Sequence, residues 1–439
     1  MKDFSIEQVR NLEFKDEDYD EVDFGAYADF LASRDRFSSG QGLRRLMEFF
    51  DKPQEKLKII AVGGTNGKSS VCNFLTNNLR KTGFCGLFID PYLGEINNAI
   101  SINYESIPKK RFMFYIDSLR PVIASLDEEG LKVSCQDILM AIMFIYFCQE
   151  KVDFAVVEFA AYKSADLFDI VSSPFATVIT SISVDKAAGL GETPEEVAKN
   201  IGKLIKKSCP VFAYPQEDEI DEILRAIAEE NEAPYYTFKK EEVFVDAINE
   251  HETDFHFMGY TGMITSLIGI HQMYNAALAM IVLHRLKGDF KVFTEIIRPS
   301  IYTAKSDGRL QLAFKHPRVL VDDAHNPAAV DALAEALKLF IYDRLVVLYT
   351  CQKIDPYVLE KICGLADDFV ITKIEDPNHS CDIEDLKAET LKYKDDIQVI
   401  PDLSEAYKWA VDKASEKDIV LCCGSLPMVR EIFKMKGKH

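Results

Sequence analysis

The sequence predicts an α/β fold in two successive units: a larger parallel-sheet unit over residues 1–302 and a smaller Rossmann-like α/β unit over 303–439. Three observations predict it. Short apolar runs alternate with helical patterns twice along the chain, as parallel sheets covered on both faces require. The polar stretch 303–310, with Asp307-Gly308-Arg309 inside it, separates the two alternations as a hinge would. And 439 residues exceed what one hydrophobic core commonly serves.

Residues 15–23 are acidic and weakly patterned, which predicts a loose arm or a surface helix. Residues 27–50 carry helical periodicity with a glycine-marked break at 38–42. Apolar strands follow at 57–62, 85–89, 154–159, 176–182 and 211–214, with helical patterns between them, notably at 136–149 and 194–206. Residues 238–267 alternate apolar with polar, the period of an antiparallel segment, and 275–286 reads as a helix. The second alternation places strands at 318–321, 345–349, 368–371, 397–400 and 418–422.

Hydrophobic residues make up 48% and charged residues 28%, ordinary values for a soluble globular protein. Acids outnumber bases, 71 against 51, for a formal charge of −20. No basic stripe stands out, which argues against nucleic acid as a partner. An anionic substrate therefore needs a local positive pocket. No apolar run reaches the ~18 residues of a membrane span, and the N-terminus has no leader pattern. Ten cysteines occur without CxxC or metal-ligand spacing. They read as reduced core residues, and the expectation is a cytoplasmic monomer without a membrane partner.

The densest chemical signal is Ala61–Ser70, A-V-G-G-T-N-G-K-S-S, directly after an apolar run. A buried strand entering a glycine turn that opens a helix (71–80) presents unpaired N–H groups and a partial positive charge, which bind phosphate. Lys68 adds a full charge and Ser69 a hydroxyl. The ordinary phosphate loop has a glycine five residues before Gly67, where this chain has Val62. Glu158 ends the apolar run 154–158. It suits a magnesium ligand beside a phosphate loop, with an acid capping the next helix as the lesser alternative. Asp322-Asp323-Ala324-His325-Asn326-Pro327 follows another strand, as a cleft-facing cluster or as a plain turn. His271 and Asn275 form a third polar group, for which capping competes with ligation.

In order along the chain, these segments resemble folylpolyglutamate synthase and dihydrofolate synthase, within the Mur ligase superfamily. The elements include G-T-N-G-K-S, Gly86-Leu87-Phe88, Glu158, His271-Gln272 with Asn275-Ala276, Gly308-Arg309, Asp322 with Ala324-His325-Asn326-Pro327, Lys353 with Asp355, and Gly424-Ser425-Leu426. The resemblance implies a Mur-ligase-like architecture. It also implies an ATP-dependent ligase that phosphorylates a carboxylate and joins it to an amino acid, here L-glutamate added to a folate-type acid. The alternatives are a ligase of the same fold acting on a non-folate carboxylate, or a catalytically impaired ATP-binding relative. ATP and magnesium are the implied cofactors. Thr65, Asn66, Gly67, Lys68 and Ser69 would cradle the phosphates, with Asn275 on the adenine side, Arg309 reaching from the hinge, and Asp322 holding the ribose beside His325.

The departures from that family are specific. Asp90-Pro91-Tyr92 stands where the family has Ser-Pro-His, so Asp90 joins Glu158 as a magnesium candidate. Val184-Asp185-Lys186 replaces Leu-Asp-His, whose histidine binds metal, and Ile201 replaces a carbamylated lysine that bridges a second metal. Lys199 and Lys203 are each two residues off, about 200° around a helix. An ammonium has no lone pair for a metal. The expectation is that Lys186 takes the place of the missing second metal and pairs with Asp90 or a phosphate. With Lys68, Glu158 and His325 it completes the candidate catalytic set. On the acid side, Tyr162-Lys163-Ser164-Ala165-Asp166 and Pro377-Asn378 differ from the family's pattern. Tyr92, Ser134, Asp137 and Asp166 are the candidate substrate contacts.

Overall fold

The computed structural model describes residues 5–9, 13–37, 39–159, 165–286, 288, 294–375 and 380–435. Its first sheet has eight strands, in the order Glu105–Ser106, Ile100–Ile102, Cys85–Phe88, Phe154–Glu158, Ile59–Gly63, Ala176–Ile179, Val211–Ala213 and Tyr235–Tyr236. From Cys85–Phe88 onward neighbouring strands pair parallel, and the first two strands add antiparallel at the edge. The central strands Ile59–Gly63 and Phe154–Glu158 are buried at every residue, which is why both read as continuous apolar runs.

Phe244–Ile248, Thr253–Phe257 and Tyr260–Thr265 form a three-stranded antiparallel sheet, as the alternation over 238–267 requires. The last sheet runs Gln311–Lys315, Arg318–Asp322, Ile419–Cys423, Leu345–Tyr349, Asp368–Ile371 and Gln398–Val399, parallel except for its first strand. Each large sheet has core on both faces, so four apolar clusters sandwich two sheets. Helices frequently begin on side-chain caps: Ser134, Thr193, Asn326, Asp355, Asp382 and Asp402 each accept from the first turn.

Two elements differ from the sequence reading. The helix Lys109–Glu128, which holds Pro121 in its middle, is not among the elements read from the sequence. The acidic arm is anchored: Tyr19 and Tyr27 donate their hydroxyls to Asp117 on that helix, at 3.1 and 2.8 Å, and both tyrosines are buried. Helices Phe24–Ala32 and Gln41–Phe49 flank the glycine break, although Ser38 lies outside the described residues.

The carboxyl ends of both parallel sheets open onto one cleft. Gly63, Phe88, Glu158 and Ile179 end strands of the first sheet, and Asp322, Tyr349 and Cys423 end strands of the last. In open α/β sheets this edge is where ligands bind.

Candidate active site

The turn after Ile59–Gly63 is shaped by glycine. Gly67 has φ 85° and sits at the N-cap of the helix Lys68–Leu79. A Cβ there would lie 2.5 Å from Oδ1 of Asn275, so glycine is required both sterically and conformationally. The backbone N–H groups of Thr65 and Asn66 donate to the carbonyl of Ser181, at 2.9 and 3.3 Å. The Thr65 hydroxyl donates to the Ser183 carbonyl at 2.8 Å and accepts from the Ser183 N–H at 3.1 Å. Thr65 and Asn66 thus brace the loop against 181–183, and the helix's first turn supplies N–H groups without intrahelical partners. Lys68 folds back to donate to the Thr65 carbonyl at 2.9 Å, keeping its charge over the turn.

Glu158 is paired in register with Val62 of the neighbouring strand, at the mouth of this turn. The Ser69 hydroxyl donates to its Oε2 at 2.9 Å. Burial pushes the Glu158 carboxyl up to about 7, against the lowering influence of Lys68, the Ser69 hydrogen bond and Arg309. A buried acid so destabilised as an anion suits a bound cation. Asp90 follows the strand Cys85–Phe88, is buried, and raises Glu158 further by like charge. Its Oδ1 lies 3.8 Å from the Arg36 guanidinium. Two carboxylates and a serine match the sparse protein ligation of magnesium, which keeps waters and phosphates. No cluster of three or more His, Cys, Asp or Glu side chains suited to a metal occurs among the described residues.

The far wall comes from the last sheet. Asp322 accepts from the N–H of Leu310 at 2.7 Å and of Ala324 at 2.8 Å, one on each oxygen, and so ties the hinge to the strand end. Burial raises its carboxyl, with Arg309 opposing. Arg309 is ion-paired with Asp323. The ring nitrogens of His325 face the Asp323 carbonyl at 2.7 Å and Asp185 Oδ2 at 3.1 Å. Burial would raise Asp185, but the hydrogen bond and charge of His325, with the N–H groups of Ala187 and Ala188, hold it well below the usual carboxylate range. Asn326 caps the helix Pro327–Leu337 and exchanges amide hydrogen bonds with Asn66, at 2.9 and 3.2 Å. The Thr65–Ser69 turn and the last sheet are therefore joined directly.

Lys186 requires a correction. Its ammonium pairs with Asp355 at 2.7 Å, not with Asp90, and its carbonyl accepts from Lys353 at 3.0 Å. Asp355 sits at the start of the helix Pro356–Leu365, so Lys186 reaches across the cleft rather than toward the candidate metal site. Ile201 is fully buried and packs near Gly63, so the position of the family's bridging lysine belongs to the core.

The acid side also changes. Ser134 and Asp137 form a capping box on the helix Cys135–Gln149 and are both buried. They are absent from the cleft wall, which Cys135, Gln136 and Leu139 line instead. Capping satisfies the same polar residues that a binding role would use. Tyr92 does line the cleft, and burial pushes its phenol up to about 12. The side chain of Asp166 lies outside the described residues, as do Tyr162, Lys163, Ser164, Pro377 and Asn378.

The cleft has a volume of about 2120 Å³ and brings together Lys68, Glu158, Asn275, Arg309, His325 and Tyr92. Asn275 donates to Gln272 Oε1 at 3.1 Å. His271 is partly buried there, its ring pushed down to about 4 by desolvation and by Arg309. The sequence reading missed Arg430, whose guanidinium stacks over Tyr92 at 4.8 Å, and the cross-cleft role of Asn326. Neither residue's partner is near in sequence, so no local pattern could have found them.

Two family models match the chain: the Mur ligase middle domain over residues 126–283 and the Mur ligase glutamate ligase domain over 308–426. The dihydrofolate synthase/folylpolyglutamate synthase of Bacillus subtilis (strain 168) is 29% identical over 430 residues, covering 94% of this chain and 99% of that protein. The dihydrofolate synthetase of Saccharomyces cerevisiae is 24% identical, covering 90% of this chain and 97% of its own. Among solved structures, Mycobacterium tuberculosis folylpolyglutamate synthase complexed with ADP superposes with a TM-score of 0.84 at 22% identity, covering 95% of this chain and 98% of its own. E. coli FolC in complex with DHPP and ADP gives 0.80 at 20% identity, covering 95% of this chain and 98% of its own. At these identities the structures establish the shared fold.

Proposed function

This chain belongs to the Mur ligase family, and on that premise we propose that it is an ATP-dependent ligase adding L-glutamate to a folate-type acid through an acyl phosphate. The observation that carries the reading is the contact of Ser69 with Glu158 behind the glycine-capped turn that bears Lys68. It sets a phosphate-binding helix end and a buried carboxylate side by side.

In this reading the first-turn N–H groups and Lys68 hold the triphosphate, and Arg309 reaches it from the opposite wall. Asn275, packed against Gly67, stands on the adenine side. Glu158 and Asp90, with Ser69, would hold magnesium, which when bound neutralises charge on the phosphoryl group being transferred. The acid's carboxylate takes the γ-phosphoryl group. The amine of glutamate then attacks the acyl carbon, and phosphate leaves as the amide forms. The Asn66–Asn326 and Asp185–His325 contacts hold the two walls together, which aligns the reactants and keeps water from the acyl phosphate. Asp322, with both oxygens on backbone N–H groups, positions the hinge.

All ten cysteines are free thiols, consistent with a reducing cytoplasm. No helix among the described residues is long and apolar enough to cross a membrane.

The test is phosphate release by the purified protein with ATP, magnesium, L-glutamate and either dihydropteroate or tetrahydrofolate. Folate-dependent release is the expected result. Release with another carboxylic acid only would move the substrate assignment, and nucleotide binding without turnover on any acid would refute catalysis.

A further inference from the structure

Arg430 lies on the helix Leu426–Met435, which covers the last sheet, and reaches the opposite wall of the cleft. Its Nη2 donates to the backbone carbonyl of Tyr92 at 2.9 Å, and its guanidinium carbon lies 4.8 Å from the centroid of the Tyr92 ring. Stacking and the hydrogen bond together fix the plane of the guanidinium. An arginine carries five N–H donors. Among the described residues only Nη2 has a bonded acceptor, and Nε is buried without a partner.

Arg430 lines the cleft with most of its donors unbonded among the described residues, and the natural complement of a guanidinium fork is a planar carboxylate. The chain's charge of −20 makes a local cation the more necessary for drawing in an anion. Tyr92 packs against the same apolar cluster as Leu31 and Leu139, which also line the cleft. That wall suits a ring-bearing acid better than a small zwitterionic amino acid.

We propose that Arg430 is a specificity-determining residue: it binds a carboxylate of the acid substrate, with Tyr92 holding the guanidinium plane. The inference rests on the ligase reading above and deepens it. Arg430 closes onto the acid from the far wall, so the acid is gripped only when the two walls are joined.

The test measures initial rates of phosphate release for the full chain against acid, ATP and glutamate in turn, for the unsubstituted protein, Arg430→Ala and Arg430→Lys. Calorimetry of an ATP analogue on each variant shows that the phosphate turn is intact. Arg430→Ala is expected to raise KM for the acid by about tenfold or more, as loss of a charge-assisted pair does. KM for ATP and for glutamate should stay within about twofold, the scale of a contact not removed. Arg430→Lys should recover only part of the loss, since an ammonium lacks the planar fork. An unchanged KM for the acid, or an effect on glutamate alone, overturns the inference while leaving the ligase reading in place. No turnover by the unsubstituted protein with any folate acid overturns that reading and this inference with it.

Discussion

The ammonium of Lys186 lies 2.7 Å from a carboxylate oxygen of Asp355, so a residue on the first sheet's edge is held by the first turn of a helix in the last α/β layer. Its neighbour Asp185 reaches His325 on the same wall, and Lys353 returns to the Lys186 carbonyl. Two consecutive residues thus tie the two sheets across the cleft. Ser183, two residues earlier, is bonded to Thr65 of the glycine turn. This segment therefore touches both the Thr65–Ser69 turn and the last sheet.

Removing that tie should weaken nucleotide binding modestly. Lys186 is half exposed, so the pair is worth at most about 1 kcal/mol, a few-fold in affinity. Asp355→Asn keeps an oxygen for the N–H groups of Tyr357 and Val358 but removes the charge. Lys186→Ala should then add almost nothing to Asp355→Asn in a double-mutant cycle read by calorimetry. Additive losses would show that the two residues act independently.

Lys68→Ala should lower nucleotide affinity by roughly 10- to 100-fold, the size of a lost charge-assisted contact. The variant should otherwise fold normally, because the Lys68 side chain's hydrogen bond is to a local carbonyl. Wild-type affinity in this variant would contradict the assignment of the turn.

Asn326→Ala removes both a helix cap and the amide exchange with Asn66. Loss of the cap alone costs about 1 kcal/mol. Asn326→Asp retains the cap but cannot donate to Asn66. Thermal unfolding should separate the two variants, with Asp nearer the wild type, while both show weaker nucleotide binding. Equal melting temperatures for Ala and Asp would remove the capping account.

His271 makes stability fall in mild acid. Its ring is pushed down to about 4 in the fold against 6.5 when unfolded, so between those values the unfolded chain takes up a proton that the fold refuses. The contribution is intact above pH 6.5 and is lost as pH falls toward 4, about 2 kcal/mol between pH 7 and 5. Glu158 acts with opposite sign, because its raised carboxyl favours the protonated fold below about 7. Urea midpoints at both pH values for wild type and His271→Gln isolate the histidine. A shift that survives the substitution must come from another group.

Ile201→Lys should not rebuild a second metal site. The side chain is fully buried against the strand that feeds the phosphate turn, so the change buries an unpaired ammonium. Destabilisation by several kcal/mol is expected, measured as a drop in urea midpoint. A neutral effect on stability would show that the site can open to water.

Much of the fold was legible because its signals are local. The central strands read as unbroken apolar runs since both their faces are buried, and the phosphate turn read as a turn because Gly67 and Lys68 sit at a strand–helix junction. The helix Lys109–Glu128 carries a proline in its interior, which weakens a local helix signal, and the edge strands Ile100–Ile102 and Glu105–Ser106 are too short to show a period. Ser134 and Asp137 were misplaced because a capping box and a polar binding pair use the same residue types at the same spacing.

By itself the sequence determined the two α/β alternations, the glycine turn between strand and helix, and the place of Glu158 at a strand end, since each depends on neighbours in the chain. The partners across the cleft were decided only in three dimensions: Lys186 with Asp355, Asn66 with Asn326, Asp185 with His325, and Arg430 with Tyr92. These residues lie between 140 and 338 positions apart along the chain. Only the packing of two separate sheets, carboxyl edges toward one another, sets such distances, and no residue's own chemistry selects which distant group it meets.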